Sequence, residues 1–316
     1  MPLQSLQSRN AYSILPGRAV KHRVGKAAVG EHSHACRLNL QNILLATDFS
    51  PASAKATISA ISLARRHQAK LYLAHVVGWS SEKSVMDGWR TGQAEIMAQE
   101  LRNRLDGVDH ELLVAQGDVW PALSQIIGQK AVGLLVLGTR GRTGVRKFML
   151  GSVAETIFRH ASCPVLTVGP NMADTTGEET CDRILAPTGF ARHSQLAVAY
   201  ATKLAQDLAS PLALLNVATK MATYTDKEKQ AAQHNRIGRL QALIPADINL
   251  AAKPELFVEF GSATERVLAI ANLWKASMVV LGLHDVPEAL RRETSWGKAY
   301  EIICQAPCPV LTLRMS

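Results

Sequence analysis

The sequence has few aromatic residues, few charges and no long apolar segment. Aromatic residues make up 5% of the 316 residues, so a platform of stacked rings that reads single-stranded nucleic acid is not expected. No apolar run approaches the roughly 18 residues that span a bilayer, which argues against a membrane partner. The five cysteines are an odd number, which argues against a disulfide framework, and they form no CxxC pair of the kind found in zinc and redox sites. We therefore expect a globular protein of the reducing cytoplasm.

The positive charge of the chain is concentrated in residues 1–38. This segment carries +5 of the formal net charge of +9. It has no sustained period and no signal-peptide pattern, so we predict a disordered basic tail. A transit-like or nucleic-acid-binding arm is a second interpretation, but no recognition motif accompanies the charge, and nucleic acid is not expected as a partner. His32, His34 and Cys36 lack the fixed spacing of a structural zinc site.

The chain repeats itself once. NILLATDFSPAS at position 42 is similar to RILAPTGFARHS at 183, LLVLGTRG at 134 to MVVLGLHD at 278, and HASCPVLTV at 160 to QAPCPVLTL at 305. The paired segments keep their order and a nearly constant separation, which indicates a duplicated domain rather than an array of short repeats. We predict a first domain at 39–170, a linker at 171–180 and a second domain at 181–316.

Each copy alternates short apolar segments with stretches of helical period. In the first copy the predicted strands are Ile43–Thr47, Leu71–Val77, Glu111–Gln116, Leu134–Leu137 and Val165–Val168. Continuous Val, Leu and Ile runs are typical of parallel strands covered on both faces. The sequence thus predicts an α/β fold of two tandem doubly wound, Rossmann-like domains with helices on both faces. In the second copy, Ser262 and Glu265 have the spacing of a capping box at a helix start.

A glycine-rich, basic loop follows the fourth strand of the first copy. In LGTRGRTGVRKFMLGS, residues 137–152, Gly138 and Gly141 allow the backbone to approach a ligand. The closing Gly-Ser pair precedes a helix whose N-terminus would attract phosphate. Ligands of doubly wound sheets bind where strand order reverses, and Asp48 at the end of the first strand is expected to face the loop. P-loop and GxGxxG patterns are absent, and the alternative is a simple turn with solvated arginines.

These residues resemble the universal stress protein family. The spacing Gly138-x2-Gly141-x9-Gly151-Ser152 matches the G-x2-G-x9-G-(S/T) motif of its ATP-binding members, and ILLATDFS and LAHVV resemble its first two strands. The resemblance covers about residues 40–170 and, more faintly, 181–316. It implies five-stranded parallel sheets of order 3-2-1-4-5 and a site for ATP, or for ADP or AMP, with Mg²⁺. The implied binding residues are Thr47, Asp48, Val76, Gly138, Thr139, Arg140, Gly141, Gly151, Ser152 and Val153.

The second copy departs from this motif at most of the key positions. Gly189 replaces the acid, Asp285 replaces the second glycine, and Ser295-Trp296 replaces Gly-Ser, so that only Gly282 remains. A carboxylate there would repel phosphate, and a tryptophan would crowd the helix N-terminus. We predict that this copy binds no ATP and pairs with the first copy, and we expect the chain to form a homodimer.

Three functions fit the sequence. The interpretation we adopt is an ATP-binding stress-response regulatory protein without efficient turnover, whose protein partner the sequence does not identify. The second is a slow ATPase or nucleotidyl transferase. Near the site only Asp48 and Ser152 could act as base or nucleophile, and neither has an evident activating partner, so no catalytic residue is assigned. The third is a nucleotide-free scaffold whose glycine loop is a relic.

Overall fold

The described part of each half of the chain is built from helices and strands. The structure, a computed structural model, describes residues 12–14, 40–49, 51–77, 104–139, 152–172, 182–219, 225–284 and 295–315. The first half contains β1 Tyr12–Ile14, β2 Asn42–Ala46, α1 Pro51–His67, β3 Lys70–Val77, β4 His110–Gln116, α2 Val119–Gln129, β5 Leu134–Gly138, α3 Ser152–His160 and β6 Val165–Val168. The second half contains β7 Ile184–Pro187, α4 Arg192–Asp207, β8 Leu212–Ala218, α5 Asp226–Gln241, β9 Glu255–Phe260, α6 Ala263–Leu273, β10 Met278–His284, α7 Ser295–Gln305 and β11 Val310–Met315.

The described strands form one continuous sheet in the order β1-β4-β3-β2-β5-β6-β11-β10-β7-β8-β9. When the five repeated strands of each copy are counted in chain order, both halves follow 3-2-1-4-5, and their neighbours are parallel. The predicted α/β fold of two Rossmann-like domains is therefore confirmed. The five strands predicted in the first copy agree with the observed strands to within one residue at each end.

A short strand from the basic tail lies at one edge of the sheet. β1 pairs in parallel with β4, with Tyr12 opposite Leu112 and Ile14 opposite Val114. These three residues form a strand where the sequence predicts disorder, because the unpaired backbone groups along an edge strand can bind a short extended segment. The rest of residues 1–38, including the His and Cys cluster of the tail, lies outside the described residues.

The two copies join through their fifth strands. β6 and β11 are antiparallel, with Val165 opposite Thr312, and Thr312 Oγ1 donates a hydrogen bond of 3.2 Å to the Val165 carbonyl oxygen. A Cβ atom on Gly169, just after β6, would lie 2.7 Å from the Ile303 carbonyl oxygen. The backbones of the two copies therefore approach more closely there than a side chain would allow.

Side chains pack across the same junction. Phe158 of α3 meets Tyr300 of α7 edge-on, with ring centroids 6.1 Å apart. Arg314 of β11 donates a hydrogen bond to the Arg159 carbonyl oxygen at the end of α3. Met172, in the predicted linker, is buried. Residues 173–180 of that linker lie outside the described residues.

Two hydrophobic clusters, one on each face of the sheet, extend through both copies. Ile43 and Leu45 belong to one cluster and Leu44 to the other, as the alternation of side chains along a strand requires. Helices α1 and α4 contribute to the first cluster, whereas α2, α3, α6 and α7 contribute to the second. The predicted helical layers on both faces are thus present, and the two copies share their core.

Among the described residues of the second half, a capping box lies at α5 and not at α6. Thr225 Oγ1 accepts a hydrogen bond from Glu228 N at 3.4 Å, and Thr225 N donates to Glu228 Oε2 at 2.7 Å. Ser262 is the N-cap of α6 but makes no side-chain cap hydrogen bond. The capping box predicted for Ser262 and Glu265 is therefore wrong, because sequence spacing does not fix the rotamers that the motif requires.

His67, the last residue of α1, makes stability depend on pH. Its imidazole is half-buried, and its Nε2 has no hydrogen-bond partner among the described residues. Burial lowers the pKa of His67 below its ordinary value of 6.5, although Asp207 of the second copy acts in the opposite direction. The unfolded chain then binds more protons than the folded chain near that pH. The contribution of His67 to stability is therefore lost as pH falls from about 6.5 toward the lower folded pKa.

We expect His67→Gln to reduce this pH dependence. A glutamine does not titrate, so the decrease in the free energy of unfolding between pH 7.5 and pH 5.5 should be smaller in the variant than in the wild type. Urea unfolding followed by circular dichroism at both pH values measures the difference. An equal decrease in the two proteins would contradict a lowered pKa for His67.

Candidate functional site

Three of the predicted binding residues lie at or just after the carboxyl ends of adjacent strands. β2 pairs with β3 on one side and with β5 on the other. Asp48 follows β2, Val76 lies near the end of β3 and Gly138 ends β5, and all three are half-buried. The chain continues from β2 to β3 on one side and later returns to β5 on the other, so strand order reverses here. The structure brings these residues together at the switch point.

The backbone after β2 forms an anchored turn. Buried Thr47 donates its N–H to the Ala74 carbonyl oxygen at 3.0 Å. Its Oγ1 accepts a hydrogen bond from Phe49 N at 3.0 Å and lies 3.1 Å from Ser53 Oγ. Phe49 has a φ of 60°, a left-handed conformation that is uncommon for a bulky residue. Asp48 is therefore held between two residues whose backbone is fixed by hydrogen bonds.

A buried histidine of β3 lies against this turn. The Nδ1 atom of His75 is 2.8 Å from the Thr47 carbonyl oxygen. Its ring centroid is 4.9 Å from that of Phe49, and its side chain is 6% exposed. Sequence reasoning placed His75 in the family's second strand but assigned it no contact with the Asp48 turn.

The other predicted residues lie around β5 and α3. Thr139 is buried, and its N–H donates to the Val168 carbonyl oxygen at 3.0 Å. Ser152 begins α3, and Val153 in the first turn is 44% exposed. The first N–H groups of a helix have no partner within the helix and carry partial positive charge. Arg140, Gly141 and Gly151 lie outside the described residues.

The second copy repeats the anchored turn. Thr188 Oγ1 donates to Ser194 Oγ at 3.0 Å and accepts from Phe190 N at 3.0 Å, and Phe190 has a φ of 66°. Both copies share the spacing Thr-x-Phe-x3-Ser. This shared spacing is the sequence signal that could have identified the structural roles of Phe49 and Ser53.

Helix α5 places two arginines against the turn of the second copy. Asn216 Nδ2 donates to the Thr188 carbonyl oxygen at 2.7 Å, and Asn216 Oδ1 accepts from Arg236 Nη1 at 2.6 Å. The guanidinium carbon of Arg239 lies 3.9 Å from the ring centroid of Phe190, within the range of a cation–π contact. The strand ends of the second copy are thus in contact with cationic groups of the protein itself.

Gly282, the one glycine of the motif that is present in the second copy, lies where α4 packs closely against β10. A Cβ atom there would lie 2.1 Å from the His193 carbonyl oxygen and 3.1 Å from Ala197 Cβ, both in α4. A residue without a side chain allows α4 to lie this close to β10. The identity of Gly282 is therefore explained without a ligand. Asp285, which the sequence places at the second glycine of the motif, lies outside the described residues.

The described part of the chain has neither a metal cluster nor a membrane span. No three His, Cys, Asp or Glu side chains in it are grouped so that they could hold a metal ion. None of the helices described has both the length and the apolar character needed to cross a membrane. His160 is exposed at the far end of α3 from Ser152, with its ring centroid 5.8 Å from that of Trp120.

Comparisons with known proteins find the same architecture. The profile of the Universal stress protein family matches residues 39–169 and again residues 180–314. Universal stress protein YxiE of Bacillus subtilis (strain 168) is 32% identical over 146 residues, which are 40% of this chain and 97% of YxiE. Universal stress protein MJ0531 of Methanocaldococcus jannaschii is 30% identical over 138 residues, 40% of this chain and 81% of that protein. The crystal structure of a universal stress protein from Archaeoglobus fulgidus DSM 4304 has a TM-score of 0.66 at 18% identity, covering 88% of this chain and 100% of the other.

Proposed function

This chain belongs to the universal stress protein family, with two of its domains in tandem, and we propose that the first domain binds an adenine nucleotide. ATP is the expected ligand, and the bound nucleotide would serve regulation in the stress response rather than rapid turnover. The observation that carries the proposal is the convergence of Asp48, Val76 and Gly138 on one switch point. In α/β sheets of this kind, such crevices are where ligands bind.

The functional groups at the switch point of the first copy are of the kinds that bind a nucleotide. The Asp48 carboxylate can accept hydrogen bonds from an adenine amino group or a ribose hydroxyl, and the backbone near Val76 can contact the base. The N-terminus of α3, which begins at Ser152, can attract phosphates through its free N–H groups and partial positive charge. As an alternative to its contact with the base or the ribose, the Asp48 carboxylate could help to hold Mg²⁺, which accepts carboxylate oxygen together with phosphate oxygen.

We propose that the second copy binds no nucleotide and acts as a structural partner. Gly189 offers no carboxylate at the position of Asp48. The side chains of Arg236 and Arg239 contact Asn216 and Phe190 at the strand ends of this copy. The packing role of Gly282 removes the remaining argument for a phosphate loop in this copy.

The junction bears on the proposed homodimer. Because β6 and β11 pair within one chain, their edges are already paired, and a dimer of whole chains would have to use other surfaces. The homodimer stays a prediction. The free thiols of Cys163, Cys304 and Cys308 suit the reducing cytoplasm that we propose as the location of the protein.

The nucleotide content of the untreated protein tests the proposed function. We expect about one ATP or ADP per chain when the purified protein is denatured and the released small molecules are quantified by mass spectrometry. ATP added to nucleotide-free protein at about 100 times its dissociation constant should stabilise the fold by about 2.7 kcal/mol. Two nucleotides per chain would contradict the assignment of the second copy. If the protein contains no nucleotide and does not bind added ATP with Mg²⁺, the proposed function is wrong and the scaffold interpretation remains.

A further inference from the structure

The buried imidazole of His75 has a defined hydrogen-bonding role. Its Nδ1 lies 2.8 Å from the Thr47 carbonyl oxygen, and a carbonyl oxygen can only accept a hydrogen bond. Nδ1 must therefore carry the hydrogen. A backbone carbonyl buried without a donor is costly, so this bond fixes the peptide that joins Thr47 to Asp48.

The same ring also supports the other side of Asp48. It contacts Phe49 with ring centroids 4.9 Å apart, and Phe49 holds the left-handed backbone conformation of the turn. His75 therefore touches the residue before Asp48 and the residue after it. The position of the Asp48 carboxylate depends on these two neighbours, because a rotation of either peptide would change the direction of the Cα–Cβ bond of Asp48.

The second copy contains an internal counterpart of this arrangement. Asn216 stands 141 residues after His75 and donates from Nδ2 to the Thr188 carbonyl oxygen at 2.7 Å. The turn has the same hydrogen bonds and the same left-handed Phe190. An imidazole and an amide thus perform one task in the two copies, which is to supply an N–H to the carbonyl group before the turn.

We propose that His75 is the positioning residue of the nucleotide site: its Nδ1–H bond to the Thr47 carbonyl oxygen orients Asp48 toward the ligand. The proposal rests on the proposed function of the first copy. It assigns to His75 no contact with the nucleotide and no part in chemistry. What the site requires at this position is an N–H donor of suitable reach, and an asparagine meets that requirement because Asn216 already does so in this chain.

The test compares three variants with the wild type by isothermal titration calorimetry with ATP and Mg²⁺, together with urea unfolding. His75→Leu removes the donor and should weaken ATP binding by about 10- to 100-fold, in line with an unsatisfied buried carbonyl group and a misplaced carboxylate. His75→Asn should restore affinity to within about threefold of the wild type, within the usual scatter for a retained hydrogen bond. Asn216→Leu is the matched control, which should lower stability as His75→Leu does but leave ATP affinity unchanged.

Each outcome decides between a positioning role and a merely structural one. Unchanged ATP affinity in folded His75→Leu would overturn the proposal, as would a His75→Asn variant as weak as His75→Leu. If the wild type itself binds no ATP, the proposed function fails first and the inference fails with it. Should His75→Leu not fold, ¹⁵N NMR of the wild-type imidazole gives an independent answer. A ring with hydrogen on Nδ1 supports the proposal, and a bare Nδ1 contradicts it.

Discussion

Replacing Gly282 by alanine should lower the free energy of unfolding by about 3 kcal/mol or more, at the upper end of what overpacking in a core costs. The added Cβ would lie 2.1 Å from the His193 carbonyl oxygen and 2.6 Å from its carbonyl carbon. Both atoms belong to the backbone of α4, so no side-chain rotation can relieve the contact. The whole helix would have to move away from β10, and this would disturb the core that α4 forms with the sheet.

A second glycine of the same copy provides the control. Gly238 lies within α5, and a Cβ atom there would meet nothing within 4 Å. Gly238→Ala should therefore leave stability unchanged or raise it by about 0.5–1 kcal/mol, because alanine favours the helix interior. Urea unfolding of both variants measures the contrast. A Gly282→Ala protein as stable as the wild type would show that the approach of α4 to β10 does not require glycine.

Replacing Gly141 by glutamate should abolish nucleotide binding, with a loss of affinity of more than about 100-fold. The motif places Gly141 in the loop assigned to phosphate, and a carboxylate beside phosphate groups costs several kcal/mol, with every 1.4 kcal/mol worth a factor of ten. The second copy has an acid, Asp285, at the corresponding position, and we propose that it binds no nucleotide. Calorimetry with ATP and Mg²⁺ measures the effect.

The control for this variant adds the same charge away from the switch point. Gly128 lies on the exposed side of α2 with open space around it, so Gly128→Glu should keep the wild-type affinity for ATP. Circular dichroism should show that both variants remain folded. If Gly141→Glu bound ATP with wild-type affinity, the glycine loop would not be part of the nucleotide site, even if the protein binds ATP elsewhere.

The fold could be predicted from the sequence because its signals are local and occur twice. Continuous apolar runs marked the buried parallel strands, and the repeat showed that two similar domains follow each other. The antiparallel pairing of β6 with β11 could not be predicted, because the sequences of Val165–Val168 and Val310–Met315 do not indicate which strand each of them pairs with. The pairing of Tyr12–Ile14 with β4 was missed for the same reason, as it depends on an edge that only the folded sheet provides.

The motif residues of the candidate site could be predicted from the sequence, but the residues that hold the turn after β2 in place could not. The ends of β2 and β5 carry residue types that indicate a ligand, and the structure brings them together. The roles of His75 and Asn216 are different, because an imidazole and an amide share no sequence pattern and become equivalent only when both are seen to bond the same carbonyl group. Gly282 shows the converse, since a residue that matches a binding motif is explained by the packing of α4.

The junction between the copies also has a consequence for biosynthesis. Val165 of β6 leaves the ribosome 147 residues before Thr312 of β11, its partner across the junction. At about 5–20 residues per second, this gap leaves the edge of β6 open for roughly 7–30 s. Open strand edges are templates for wrong pairing with other chains. A chain truncated before β11 would keep that edge of β6 unpaired, and the risk of wrong pairing would then persist after the chain is released from the ribosome.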